Sequence, residues 1–199
     1  IWDLAHSAGA FAVDLQACNA EFAVGCTYKY MNAGPGAPAF IYVRKDLAED
    51  INPALSGWLG HDAPFAFERS YRPGTGIERM RVGTPSVIQM AALETALDIF
   101  DDVSMAQIRE KSVALCELFI SEVERRCPQV QLASPRDSAI RGSQVSFSFI
   151  DGYPLLQALI ERGVIGDFRA PDMMRFGFAP LYVDEADVVE AAVILEDIL

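Results

Sequence analysis

Several features that would point to common classes of protein are missing from this sequence. No apolar run reaches the roughly 18 residues that a helix needs to cross a bilayer, so we expect no membrane span. The two histidines lie far apart and the four cysteines form no CxxC pair, so the usual spacing of a metal site is absent. Basic residues are also few, because 16 Lys and Arg stand against 28 Asp and Glu, which gives a net charge of −12. This balance argues against nucleic acid as a partner and favours a small molecule.

The composition is that of a globular protein with a real core. Hydrophobic residues make up 51% of the 199 residues and charged residues 22%. The chain begins at Ile1 without Met, and an Asp and a His follow where a signal peptide would need basic and apolar residues. We therefore expect a cytoplasmic protein with reduced cysteines, and a fragment of a longer polypeptide.

The first half of the chain has the pattern of an α/β fold. Short apolar segments end at residue 3 and span residues 22–26 and 39–43, which is typical of strands covered on both faces. Residues 46–83 are rich in Gly, Pro and aromatics and predict loops. Thr84 as N-cap and Pro85 at the first helical position then predict a helix that runs towards Phe100.

The second half changes character after an amphipathic helix predicted over residues 104–126. Residues 144–149 alternate strictly, which predicts a strand with Val145, Phe147 and Phe149 directed inward. Further helices are predicted at 154–162 and after Asp184, with short strands at 164–169 and 174–178. The expected organisation is the tail of a large α/β domain over residues 1–95, followed by a small α+β C-terminal domain over 96–199.

Two residues in the first 40 positions have the chemistry of a cofactor site. Asp3 ends the first predicted strand, and Lys29 follows the second, so both should reach the crevice at the carboxyl ends of the strands. Pyridoxal phosphate (PLP) needs such a pair, because an amine condenses with its aldehyde while a carboxylate keeps the pyridine nitrogen protonated. Taken alone, each residue is more often a solvated lysine or a turn-forming aspartate.

The residues around Lys29 strengthen this interpretation. Tyr28 and Tyr30 flank it and can shield its amine from water, which favours loss of the proton. Gly34 and Gly36 follow in a turn-rich loop, and glycine lets backbone pass close to a ligand or a neighbouring subunit.

Three strings resemble the kynureninases, which are PLP-dependent enzymes of the aminotransferase-like fold type I. They are WDLAHSAG at residues 2–9, TYKYMNAGPG at residues 27–36 and MRFGFAPLY at residues 174–182. The resemblance covers the whole chain and places it in the C-terminal half of that family. The loop that holds the phosphate and the aromatic that stacks on the pyridine ring precede this region in the family. We therefore expect the chain alone to lack half of the cofactor site.

The resemblance implies roles for residues at the two strand ends. Asp3 would be the partner of the pyridine nitrogen, and Lys29 the cofactor lysine and the base that moves the α-proton of the substrate. Tyr28 would bind the cofactor phosphate and relay protons, although aromatic packing is its alternative. His6 would lie in the cofactor site or, equally, serve as a core or turn histidine.

Further roles are implied along the chain. Trp58 would reach the phosphate region from the partner subunit, with simple packing as the alternative, and His61 near the substrate ring is the weakest candidate. Thr84 would line the cofactor pocket while it also caps a helix. Arg175 would bind the substrate α-carboxylate through two parallel hydrogen bonds, with Arg169 as the competing arginine.

The activity implied is hydrolysis of the Cβ–Cγ bond of L-kynurenine, or of its 3-hydroxy form, to anthranilate and L-alanine. The family implies a cytoplasmic homodimer in tryptophan catabolism, on the kynurenine pathway that leads to NAD biosynthesis. A cysteine desulfurase-like PLP lyase is one alternative, but it needs a reactive cysteine on a mobile loop, and Cys116 and Cys127 lie in or beside a predicted helix. A non-catalytic or inactive fragment and a metal-dependent hydrolase are the others.

Overall fold

A computed structural model describes all residues, 1–199, and they form two compact units. The first unit contains Ile1–Gly9 and Val13–Asp102, and the second contains Ala10–Ala12 and Val103–Leu199. The sequence-based division after residue 95 falls inside the last helix of the first unit. None of the helices is both long and apolar enough to span a bilayer.

The first unit contains a three-stranded sheet at its N-terminal end. Its strands are β1 (Trp2–Asp3), β2 (Phe22–Cys26) and β3 (Ala39–Val43), in the order β1-β2-β3. Strands β1 and β2 are parallel, whereas β2 and β3 are antiparallel. The three apolar segments therefore form strands as predicted. Because β1 and β2 run the same way, the segments that follow them leave the sheet at the same edge.

The irregular stretch after β3 contains three short 3₁₀ helices, at Trp58–Gly60, Pro64–Ala66 and Gly76–Met80. Helix α1 (Val87–Asp98) follows. The predicted start of this helix was wrong, because Ser86 rather than Thr84 occupies the N-cap and the first helical bond runs from Met90 N to Ser86 O. Thr84 and Ser86 are both residue types that cap helices, and local sequence does not distinguish two such residues two positions apart. The helix also ends at Asp98, short of Phe100.

The second unit is a four-stranded antiparallel sheet with three helices. Its elements in chain order are α2 (Met105–Arg126), β4 (Gln131–Leu132), β5 (Gln144–Ser148), α3 (Gly152–Glu161), β6 (Asp167–Arg169), β7 (Met173–Gly177) and α4 (Glu185–Ile198). The strand order is β4-β5-β7-β6. Ser104 and Gln107 form a capping box at the start of α2, and Asp184 accepts hydrogen bonds from the first turn of α4.

The core of the second unit lies between its sheet and helices. Val145 and Phe147 of β5 are fully buried there, while Phe149 lies just beyond the strand and packs against the core while partly buried. Phe119 of α2 meets Phe147 edge to face, with ring centroids 5.8 Å apart. The predicted register of β5 is thus confirmed, because Ser146 and Ser148 are less buried than the apolar residues between them.

Candidate functional site

The segment that follows β1 is held against the end of β2. Asp3 pairs in register with Val24, and Leu4 N donates to Val24 O at 2.7 Å. One carboxylate oxygen of Asp3, Oδ1, accepts a hydrogen bond from Ala5 N at 2.8 Å, which orients the carboxylate within its own turn. The Cys26 thiol at the end of β2 lies 3.7 Å from Ala5 O. His6 is exposed in the same segment.

The segment that follows β2 forms a turn around Lys29. Thr27 is buried, and its Oγ1 donates to Pro38 O at 2.6 Å while its carbonyl accepts from Ala33 N at 3.1 Å. Asn32 N donates to Lys29 O at 2.9 Å. The Lys29 ammonium lies 5.4 Å from the centroid of the half-exposed Tyr28 ring. This turn fixes the backbone on which both side chains stand.

Gly9 joins the two segments, and sequence analysis gave it no role of its own. Its φ is +81°, and a Cβ placed on it would lie 2.7 Å from the carbonyl carbon and oxygen of Tyr30. Only glycine fits, because any side chain would be both strained and too close to backbone. The segment that carries Asp3 therefore packs against the turn that carries Tyr28 and Lys29. A glycine ending the Asp-containing string was the sequence signal for this contact.

Trp58 and Thr84 lie on neighbouring segments of the same unit. A Cβ on Gly57 would come within 1.7 Å of Val82 O, so the backbone before Trp58 touches the backbone shortly before Thr84. Trp58 is 47% exposed and packs edge to face on Phe65, with centroids 5.8 Å apart. Thr84 is exposed and caps no helix.

The start of α1 also lies beside the turn around Lys29. The side chain of Gln89 on α1 approaches Gly36, where an added Cβ would lie 3.4 Å from Gln89 Nε2. Gly36 has φ +83°, a conformation that favours glycine. The loop that follows the lysine turn and the start of α1 are thus neighbours, and the segment that carries Thr84 leads into that helix.

His61 holds a loop closed. Ala63 N donates to its Nδ1 at 2.9 Å, which leaves Nε2 to donate to Ser70 O at 3.2 Å. Its side chain is 10% exposed, and its ring packs edge to face on Tyr71. Both ring nitrogens are therefore occupied in joining the two sides of the loop between residues 61 and 73.

Arg175 lies on β7 of the second unit. Its neighbours Met174 and Phe176 are buried in the core, so its side chain points to the opposite face of the sheet, as predicted. Its guanidinium forms an ion pair with Asp167 of β6, the residue opposite in register. Its Nε is buried and has no hydrogen-bond partner.

Arg169 shares the same carboxylate. Its Nη1 donates to the other oxygen of Asp167 at 2.8 Å, and its side chain is 62% exposed, against 22% for Arg175. Sequence analysis did not single out Asp167. The alternation of β6 gave the only signal, because Asp167 and Arg169 are two positions apart and share a face.

The sequence of the whole chain matches curated proteins of one family. Residues 108–195 match the family model described as the kynureninase C-terminal domain. The kynureninase of Pseudomonas fluorescens is 51% identical over 201 residues, which cover 100% of this chain and 48% of that protein. The kynureninase of Deinococcus radiodurans is 49% identical, over 96% of this chain and 47% of that protein. The chain resembles the C-terminal half of a kynureninase. It spans about half the length of these kynureninases, and the predicted resemblance is confirmed.

Solved structures share the fold of the kynureninase-like chain. The apo cysteine desulfurase of Thermococcus onnurineus NA1 superposes with a TM-score of 0.82 at 18% identity, over 98% of this chain and 51% of that protein. The cystine C–S lyase C-DES, in complex with cysteine persulfide, gives 0.80 at 22% identity, over 96% and 50%. A C-DES variant with glycine covalently linked to its PLP cofactor gives 0.80 at 20%, over 96% and 49%. The predicted fold class is confirmed.

The sequence identity to the kynureninases, at 49–51%, is much higher than the 18–22% identity to the desulfurase and the C–S lyase. The cysteines weighed for that alternative are also unsuited to it, since Cys116 and Cys127 are buried. Burial raises the pKa of the Cys116 thiol to about 11 and also raises the pKa of Cys127. Neither thiol is a good nucleophile near neutral pH.

Proposed function

We propose that this chain supplies the C-terminal half of a PLP-dependent kynureninase, which hydrolyses L-kynurenine to anthranilate and L-alanine. The observation that carries the proposal is the packing of the Asp3–Gly9 segment against the turn of Lys29, in a chain about 50% identical to kynureninases along its whole length. The assignment of residues 1–95 to a PLP-binding domain and of 96–199 to a small domain stays a prediction.

The residues of the first unit fit PLP. Lys29 offers a primary amine for the aldehyde, and Asp3 offers a carboxylate for the pyridine nitrogen. The two residues stand on segments that leave the same edge of the sheet. The Asp3 carboxylate is oriented by its bond from Ala5 N, and Lys29 Nζ lies 5.4 Å from the ring centroid of the half-exposed Tyr28. We assign the cofactor nitrogen to Asp3, the phosphate to Tyr28 and the covalent attachment to Lys29, with His6 as a neighbour.

PLP, when bound, supplies an electron sink for negative charge that develops on the substrate carbons. Lys29 then removes the proton from the substrate Cα as a general base, and Tyr28 passes protons between the reacting groups. Asp3 would hold a proton on the pyridine nitrogen of the cofactor. Water adds to the γ-carbonyl of kynurenine, the Cβ–Cγ bond breaks and anthranilate leaves. One proton then goes to Cβ and another returns to Cα, which completes alanine.

Arg175 binds the α-carboxylate of the substrate in this proposal. Its unpaired Nε and its position on a sheet face leave it able to form parallel hydrogen bonds with a carboxylate. Arg169, already bonded to Asp167 and largely exposed, has the lesser role.

The resemblance to kynureninases supports the finer proposals as well. Trp58 would reach the phosphate region of the partner subunit, and Thr84 would line the pocket for cofactor and substrate. We also propose a homodimer in the cytoplasm that acts in tryptophan catabolism and, through the kynurenine pathway, towards NAD biosynthesis.

The test uses a chimera in which these 199 residues replace the matching part of the P. fluorescens kynureninase, because that protein provides the other half of the length. Borohydride reduction followed by peptide mass spectrometry should find the cofactor on Lys29. Lys29→Ala should abolish anthranilate release, while Lys45→Ala, an exposed lysine beyond β3, should leave it unchanged. Normal turnover by Lys29→Ala, or release of sulfide from cysteine in place of anthranilate from kynurenine, would overturn the proposal.

A further inference from the structure

Two arginines of the second unit are fixed by backbone carbonyls. Arg109 stands on α2, and its Nη2 donates to Ser138 O at 2.6 Å and to Arg141 O at 2.7 Å. The Arg141 side chain is 3% exposed, and its Nη1 donates to Pro135 O at 2.9 Å and to Arg136 O at 3.0 Å. Because arginine does not lose its proton in proteins, both side chains keep a positive charge where they lie.

The charges of this pair are only half compensated. Arg141 also forms an ion pair with Glu117. Arg109 is partly buried and forms no ion pair, and the two oxygens that it binds belong to neutral carbonyls. Two guanidinium groups therefore stand against one carboxylate, which leaves one positive charge without a counter-ion. A desolvated charge is costly unless a group of opposite charge lies beside it.

The same two side chains have hydrogen-bond donors without acceptors. Arg109 Nη1 and Arg141 Nε are buried and have no hydrogen-bond partner. They belong to one locality, because Arg109 binds the carbonyl of Arg141 itself. Ser112 is fully buried and lies three residues after Arg109 on the same face of α2, so its hydroxyl is a third donor there. Since nearly all buried donors in proteins have a partner, such a group indicates a bound ion or water.

Cys116 lies on the same face of α2, four residues after Ser112, and does not balance the excess charge. Burial raises the pKa of the Cys116 thiol to about 11, while the positive charges of Arg141 and Arg109 act in the opposite direction. The influence of both arginines on this one thiol agrees with their position beside it. Near neutral pH the thiol keeps its proton and supplies no negative charge.

We propose that Arg109, Arg141 and Ser112 form a binding site for a small monovalent anion, with chloride as the simplest ligand. Water would accept hydrogen bonds from these donors but would leave the positive charge unbalanced, whereas an anion does both. The site lies within the second unit and is independent of the proposed function. A bound anion stabilises the folded state, because the unfolded chain does not hold the three donors together.

The chloride dependence of stability tests the site in the 199-residue chain. Amide exchange in β5, an inner strand of its sheet, reports the unfolding of the second unit. Sodium gluconate replaces sodium chloride at constant ionic strength, because the gluconate ion is much larger than chloride. Protection of the β5 amides should be about tenfold higher when chloride reaches about ten times its dissociation constant, which the line width of the chloride magnetic resonance signal measures. Equal protection in the two salts would refute the site.

Substitutions separate anion binding from a general effect of salt. Arg109→Met removes the excess charge and should abolish the response to chloride. Arg125→Met, which removes an exposed arginine from the same helix, should retain it in full. If Arg109→Met does not fold, Ser112→Ala takes its place in this comparison, with a dissociation constant for chloride about tenfold higher. An equal response in the variant and in the unsubstituted chain would show a general salt effect and overturn the assignment.

Glu117→Gln gives a change of opposite sign. It removes the carboxylate that pairs with Arg141, so the positive charge of the site increases and chloride should bind about fivefold more tightly. A merely structural role of these residues predicts no tighter binding in any variant. Weaker binding of chloride by Glu117→Gln than by the unsubstituted chain would contradict the electrostatic basis of the site.

Discussion

Replacing Arg175 by Ala in the chimera should weaken substrate binding far more than it slows the chemical step. In the proposed complex, Nε and one terminal nitrogen of Arg175 form two hydrogen bonds with the substrate carboxylate, and Nε has no other partner. A hydrogen bond to a charged group contributes about 1.5–3 kcal/mol, so two give at least about 3 kcal/mol. Each 1.4 kcal/mol corresponds to a factor of ten, so we expect KM for kynurenine to rise by about 100-fold.

The assay is steady-state formation of anthranilate, with the PLP content of each variant measured separately. Arg169→Ala is the matched control, because Arg169 bonds to the same carboxylate, that of Asp167, but is 62% exposed. It should change KM by less than about twofold. A large rise in KM for Arg169→Ala with none for Arg175→Ala would reverse the assignment.

Three further predictions concern the second unit. Phe147→Ala should lower the free energy of unfolding of this unit by about 3–5 kcal/mol, and Phe149→Ala by clearly less, because Phe147 is fully buried and Phe149 only partly. Urea denaturation of the 199-residue chain measures both losses. Equal losses would contradict the packing. The Cys116 thiol, whose pKa is about 11, should resist a thiol reagent at pH 8 while exposed Cys18 reacts, as peptide mass spectrometry would show. Burial raises the pKa of Cys116 above the value of 9.0 for a free thiol, so between pH 9 and about 11 the unfolded chain loses this proton more readily than the folded chain does. The contribution of Cys116 to stability is therefore present below pH 9 and is lost as the pH rises towards 11. A free energy of unfolding that rose over this interval would contradict the prediction.

The strands and long helices follow from local sequence, whereas one helix start does not. Residues 22–26 and 39–43 form strands because continuous apolar segments of that length suit a sheet. Helix α2 begins where Ser104 and Gln107 can form a capping box. The start of α1 was misplaced because Thr84 and Ser86 are equally suitable caps, and the choice depends on surrounding structure.

The candidate site was predictable only where it depends on topology. Asp3 and Lys29 follow adjacent parallel strands, and this relation is readable from two apolar segments and a polar residue after each. The glycine that ends the Asp-containing string indicated a close contact, but its partner, Tyr30, was not readable, because the pairing depends on the path of two loops. The pairing of Arg175 with Asp167 requires the register of β6 and β7, which sequence alone does not provide.

The hairpin of β6 and β7 brings two guanidinium groups to one carboxylate, so Arg169, Arg175 and Asp167 together carry one positive charge in a chain of net charge −12. Far from the surface, an anion meets the field of the whole chain and is repelled. Within about one Debye length of the hairpin, which is about 8 Å at physiological ionic strength, the local cation dominates. Added salt should therefore raise the association rate of small anions with the hairpin and shorten their residence time there.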